Sequence, residues 1–226
     1  MIEIRNLSKS YGSNLVLNNL DFDFEKGKVY GIIGENGSGK TTLFKCIASL
    51  EKYTGTITSD FKSIKNNLGF VTTEPFFFSK ITGREYIKLL YSARNIVAKD
   101  IDSKNIFDLP LDKYVETYST GMKKKLTFTA ILLQENDIFI FDELFNGVDI
   151  QGNILSMKII QKLKSLKKII IISSHVFSVL NDVSDVIYLL KKGETNRKIK
   201  KSEFKNLKEE INKLVIGDKI ERLNLK

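Results

Sequence analysis

Residues Gly34 to Thr41 read GENGSGKT, a match to the G-x-x-x-x-G-K-[ST] phosphate-binding loop. No other run constrains the fold as much, because such a loop works only between a strand and the helix that follows it. Gly34, Gly37 and Gly39 are expected to take positive φ, so that the backbone curls around an anion without Cβ clashes. The N–H groups of the loop, through Glu35, Asn36 and Ser38, would then point inward at phosphate oxygens at a helix N-terminus. Lys40 would reach the β- and γ-phosphates. Thr41 would offer its hydroxyl to Mg²⁺, with Thr42 beside it. The flanks suit this reading: Lys28 to Ile33 (KVYGII) reads as a short buried strand, and Thr42 to Leu50 (TLFKCIASL) as an amphipathic helix. The octapeptide implies a bound nucleotide triphosphate.

Such a site needs carboxylates for a metal ion and for an attacking water. Asp137 to Glu143 (DIFIFDE) places two adjacent acids after four apolar residues. That apolar run is too short for a helix and is rich in Ile and Phe, so it reads as a buried parallel strand. Asp142 at its carboxyl end would hold Mg²⁺ through water, and Glu143, on the opposite face of the pleat, would polarise the attacking water.

Tyr118 to Leu126 (YSTGMKKKL) resembles the signature motif of the ATP-binding cassette (ABC) ATPases, whose usual form is LSGGQ followed by a basic residue. Ser119 and Gly121 match; Tyr118, Thr120 and Met122 stand for leucine, the first glycine and glutamine. Taken alone, the segment also fits a Ser-capped, Lys-rich surface helix. The other marks follow in family order. Asn146 to Asp149 (NGVD) is similar to the loop that touches the opposite subunit, and Lys168 to His175 (KIIIISSH) to the last core strand with its switch histidine. Tyr11 in SKSYG matches the aromatic that stacks on adenine, although a plain strand-end tyrosine fits there too. The resemblance covers roughly residues 1 to 200.

The resemblance implies an α/β fold: a P-loop NTPase core with an antiparallel β side-sheet and a helical signature lobe. The core lobe would take about 1–72 and 135–200, the helical lobe about 73–134, and a C-terminal extension about 201–226. It implies ATP and Mg²⁺ as ligands, with Glu143 and His175 as the catalytic pair. A second cassette, identical or different, would bring its Ser119 and Gly121 to the ATP held by Lys40 and Thr41. A separate transmembrane permease subunit is the implied partner, with the chain peripheral on the cytoplasmic face of the membrane. The signature variant looks more like export systems than like high-affinity importers.

Two departures stand out. After Leu68 to Val71 (LGFV) the family carries a glutamine that binds Mg²⁺; here the loop reads TTEPFFF, with Thr73 at that position and Glu74 beside it. Thr73 is too short to repeat the glutamine's reach, whereas Glu74 could serve as a hard oxygen ligand. Leu144 replaces the proline after the catalytic glutamate, which is expected to loosen the turn.

Elsewhere, Ile2 to Arg5 and Val16 to Phe24 read as antiparallel strands, the second alternating at Leu20, Phe22 and Phe24. Thr54 to Thr58 adds a further strand. Thr82 to Arg94, with helical spacing at Tyr86, Leu89 and Leu90, opens a mostly helical insert to about Gln134. Ile150 to Leu166 reads as a helix, and Ser184 to Leu190 with Glu194 to Ile199 as a hairpin across Lys192 and Gly193. A hydrophobic content of 42 % over 226 residues suits one domain. Two prolines leave no Pro-rich linker, and the single cysteine, Cys46, excludes an intramolecular disulfide. No apolar stretch approaches the roughly 18 residues that span a bilayer, and the first residues carry no signal-peptide core. The net charge of +9 fits a solvated basic surface or an anionic membrane surface. No aromatic-interleaved basic motif points to nucleic acid. Two other readings stay open here: a soluble cassette ATPase acting on ribosomes or DNA, and a regulatory, weakly hydrolysing nucleotide binder.

Overall fold

The computed structural model describes residues 1–205; the extension expected over 201–226 lies outside the described residues from 206 onward. Two sheets face one another across a helix. Strands β1 (Ile2–Tyr11), β2 (Asn14–Phe24) and β4 (Thr54–Ser59) form an antiparallel sheet in the order β2-β1-β4. The larger sheet has the order β5-β6-β7-β3-β8-β9, from β3 (Lys28–Ile33), β5 (Leu68–Val71), β6 (Ile138–Asp142), β7 (Ile169–Ser173), β8 (Val186–Lys191) and β9 (Glu194–Lys200). It is parallel except for β9, which returns antiparallel to β8. Lys192 and Gly193, both at positive φ, make that two-residue turn as expected.

The period-2 alternation of the strands sorts the core. Ile138, Ile140, Ile169 and Ile171 face helix α1 (Lys40–Ile47) and the antiparallel sheet, in one cluster with Phe22, Phe24, Leu43 and Phe44. Phe139, Phe141, Ile170 and Ile172 face the other way, toward α4 (Thr120–Leu132), α5 (Ile150–Ser165) and α6 (Phe177–Val183). Strands buried on both faces read as unbroken apolar runs, which is why β3, β6 and β7 appear where the sequence predicts them. Each fully buried Ile of β7 contributes on the order of 2 kcal/mol of burial. That rigid centre fixes the carboxyl ends of β3, β6 and β7 side by side, where the phosphate loop and the acidic pair emerge.

A third apolar cluster joins α3 (Gly83–Ser92) to α4, around Tyr86, Ile87, Tyr91, Val115, Tyr118 and Leu126. Thr82 starts α3 with a reciprocal capping box to Glu85. The buried face of α3 carries Ile87 and Tyr91 beside Tyr86; Leu89, expected inside, is exposed. The expected mostly helical insert is also only partly helical. A short helix α2 (Ile64–Asn67) precedes β5, and between α3 and a single 3-10 turn at Val115–Thr117 the chain runs through turns. Polar contacts hold this stretch: Arg84 binds both Asp102 and Asp112, and the Asn105 side chain bonds both the N–H and the carbonyl of Leu109. The first strand is longer than expected, because the left-handed Asn6 (φ 53°) and shifts in pairing break its alternation after Ile4.

Candidate active site

The phosphate loop leaves β3 at Ile33 and enters α1 at Lys40. Gly37 (φ 80°) and Gly39 (φ 104°) take left-handed backbone as expected. Gly34 does not; it is needed for close approach, since a Cβ there would lie 2.3 Å from the Leu190 carbonyl and 2.5 Å from Ser38 Oγ. Glu35 and Asn36 are exposed, whereas Ser38 is buried with its Oγ free of any protein partner. A buried hydroxyl without a protein donor or acceptor, inside an anion nest, is a fitting contact for a phosphate oxygen. Lys40 Nζ is held by the carbonyls of Gly34 (2.7 Å) and Glu35 (3.0 Å). Burial lowers its pKa, while the nearby Glu143 and Asp142 raise it.

Asp142 is fully buried and accepts from three hydroxyls. Thr41 (2.6 Å) and Thr73 (2.8 Å) both donate to its Oδ2, and Ser173 (2.5 Å) donates to Oδ1. Thr73 thus lies against the carboxylate of the acidic pair despite its short side chain, whereas Glu74 faces solvent. Among the described residues, no group of three or more His, Cys, Asp and Glu side chains could hold a metal unaided. The hard oxygens of Thr41 and Asp142 suit Mg²⁺, which keeps waters and leans on substrate phosphates.

Glu143 is not on the pleat, as its sequence position suggested. It is the first residue beyond β6, in left-handed backbone (φ 52°), closing a turn in which Asn146 N donates to its carbonyl (3.2 Å). Its own N–H donates to Ser173 Oγ (3.0 Å). Asn146 Nδ2 and His175 Nδ1 both reach Glu143 Oε2 at 3.0 Å, and Oε1 is buried with no protein partner. Leu144, where the family has proline, is buried in the core with Phe145.

Ser119 caps α4 by accepting from Met122 N (3.2 Å), and it is exposed to solvent. A Cβ on Gly121 would lie 2.3 Å from the Gly147 carbonyl, so the signature helix sits directly on the Asn146 to Asp149 loop. The Tyr118 hydroxyl donates to the Pro110 carbonyl (2.7 Å), a tie to the neighbouring loop. Tyr11 ends β1 with its ring largely exposed and Lys9 Nζ 4.5 Å from the ring centroid.

Lys40, Thr41, Thr73, Asp142, Glu143 and His175, all legible as candidates in the sequence, are gathered by the fold at the carboxyl-end side of the large sheet's interior strands. Not legible there were Ser173, which pairs with Asp142 in the sheet register, and Lys124, whose amine donates to the Glu143 carbonyl from α4. Only the strand pairing could have singled out Ser173. Lys124 left a fainter trace, a lysine among the inward positions of a capped helix.

A glycine-lined anion loop opening onto a helix beside a strand-end carboxylate pair belongs to the nucleotide triphosphate hydrolases of the phosphate-loop class. Comparison with known proteins narrows this. The ABC transporter family matches residues 17–146. The bacitracin transport ATP-binding protein BcrA of Enterococcus faecalis is 33% identical over 90% of this chain and 70% of its own length. The lantibiotic transport ATP-binding protein SrtF of Streptococcus pyogenes is 29% identical over 97% and 99%. In fold, the chain resembles an ATP-binding subunit of an ABC transporter (TM-score 0.80, 21% identity, 92% of this chain and 93% of that one). It also resembles the dimeric MJ0796 cassette (TM-score 0.79, 21% identity, 89% and 99%). The chain belongs to the ABC transporter family, as an ATP-binding and ATP-hydrolysing component.

Proposed function

We propose that this chain is the peripheral, cytoplasmic ATPase subunit of an export-type ABC transporter. Two such subunits, identical or different, close head to tail on ATP, and closure drives a separate transmembrane permease subunit. The relatives named for bacitracin and lantibiotic transport support the export reading over ribosome or DNA work, as does the dimeric MJ0796 cassette the two-subunit arrangement. No helix among the described residues is long and apolar enough to cross a membrane, which fits a permease on another chain. The core lobe comprises about 1–72 and 135–200, and the helical lobe about 73–134, which has an apolar cluster of its own.

The observation that carries the hydrolytic reading is the Glu143 carboxylate, oriented through Oε2 by Asn146 and His175 and left with a free, buried Oε1. The phosphate loop N–H groups, Ser38 and Lys40 bind the phosphates, and Tyr11 stacks on adenine. Glu143 takes a proton from water as its oxygen attacks the γ-phosphorus, and the bond to the ADP oxygen breaks, releasing ADP and inorganic phosphate. Thr41 and Asp142 would hold Mg²⁺, which would supply charge neutralisation for the phosphates when bound. Ser119 and Gly121 of the second subunit present a helix N-terminus to the same γ-phosphate.

Because that N-terminus comes from a second subunit, ATPase activity per molecule should rise with protein concentration where the two subunits are identical. Activity that stays flat on dilution, in chain shown to be monomeric, would overturn the shared site.

Thr73 completes the metal edge from the divergent loop. Thr73→Gln should leave ATP affinity nearly unchanged and raise basal hydrolysis a few-fold, about 1 kcal/mol on the barrier. Glu74→Ala should leave the Mg²⁺ concentration for half-maximal activity unchanged, since Glu74 faces solvent; a rise in that concentration would make Glu74 a ligand.

A further inference from the structure

Lys124 lies in α4, 2 % exposed, although an ammonium group is strongly hydrated and seldom leaves water without a partner. Its Nζ donates to the backbone carbonyl of Glu143 at 2.5 Å. Burial lowers its pKa, and the Glu143 and Asp142 carboxylates pull the other way. Glu143 needs such a partner, because its backbone is left-handed and it carries a side chain. Four groups clamp it. Ser173 of β7 takes the N–H, Asn146 closes the turn onto the carbonyl, and Asn146 and His175 hold the carboxylate. Lys124 is the fourth, and of these it alone comes from the signature helix.

The helix is tied to the same loop at two further points. Lys125 binds Asp149 at 2.6 Å, and Gly121 sits against the Gly147 carbonyl. The N-terminus of α4, at Ser119, is the end that meets the second subunit's nucleotide in the function proposed above.

We propose that Lys124 is a positioning residue for Glu143. Held by α4, it fixes the left-handed backbone of the base, so that the place of the base in one subunit depends on the seating of that subunit's signature helix on the partner's nucleotide. The inference rests on Glu143 being the base, and the test separates the two claims.

Lys124→Met keeps much of the length and removes the donor. It should lower kcat by about 10- to 100-fold, the size expected when a reacting group is misplaced by an ångström or so, and leave KM for ATP within about three-fold, the P-loop being untouched. Lys124→Gln, which retains a donor of shorter reach, should recover part of the loss. It also carries the test if the methionine variant melts early. The deciding comparison is the double variant with Glu143→Gln. A residue that acts only through the Glu143 carboxylate costs nothing more once that carboxylate is gone, so the double variant should hydrolyse ATP no more slowly than Glu143→Gln alone. A purely structural lysine would add its full loss. Full additivity, or wild-type kcat in both folded Lys124 variants beside an inactive Glu143→Gln, would overturn the role of Lys124 alone. Near wild-type turnover in Glu143→Gln would instead overturn the assignment of the base, and this role with it.

Discussion

Glu143→Gln is expected to slow ATP hydrolysis by roughly 10²- to 10⁴-fold with ATP affinity retained, the range for loss of a general base. The amide keeps the shape of the side chain, and its oxygen can still accept from Asn146 and His175, the partners of Oε2. It cannot take the proton from water. Steady-state phosphate release beside equilibrium nucleotide binding checks both halves. Near wild-type turnover would move the base elsewhere, with His175 the next candidate because it already touches the same carboxylate.

Asp142→Asn is expected to have the second largest effect, through a different step. The native carboxylate is acceptor-only and takes three hydroxyl donors, Thr41 and Thr73 on one oxygen and Ser173 on the other. An asparagine keeps one acceptor oxygen and puts an NH₂ donor where the other stood, so one side of the network must rotate its hydroxyls or lose its bonds. The stability cost is about 1–3 kcal/mol for a buried group left badly paired. Loss of the formal charge beside Thr41 should weaken the metal much more than the nucleotide. ATP hydrolysis should fall by roughly 10²-fold or more, and titration should show nucleotide binding that no longer strengthens with Mg²⁺. Unchanged Mg²⁺ dependence would remove Asp142 from the metal site.

Much of this arrangement is legible in the residues, for identifiable reasons. β3, β6 and β7 are buried on both faces, so their Ile and Phe runs need no tertiary knowledge to read. The phosphate loop is legible because Gly, Lys and Thr are each required at fixed offsets. The stretch between α3 and the 3-10 turn is not, because Arg84 clamping Asp102 and Asp112 is a long-range polar solution with no period. β1 beyond Ile4 hides behind a left-handed Asn6. Within the site, the acidic pair announces itself, but the turn that carries Glu143 off the pleat does not. The contacts of Ser173 and Lys124 with that turn exist only once β7 and α4 are docked on it. Thr73 is a similar case. Its side chain is short, and no sequence period announces that the fold brings its hydroxyl within 2.8 Å of Asp142.

The central claim is that ATP is hydrolysed at a site shared by two subunits, with Glu143 of one facing Ser119 and Gly121 of the other. Sedimentation velocity on Glu143→Gln, with and without ATP and Mg²⁺, tests it most directly. Removing the carboxylate charge from beside the γ-phosphate while blocking turnover should trap the closed pair. A dimer that forms with ATP, dissolves when ATP is withdrawn, and is abolished by a bulky, charged Ser119→Arg added to the same variant is the result expected. A chain that binds ATP at full occupancy and stays monomeric at every concentration would contradict it.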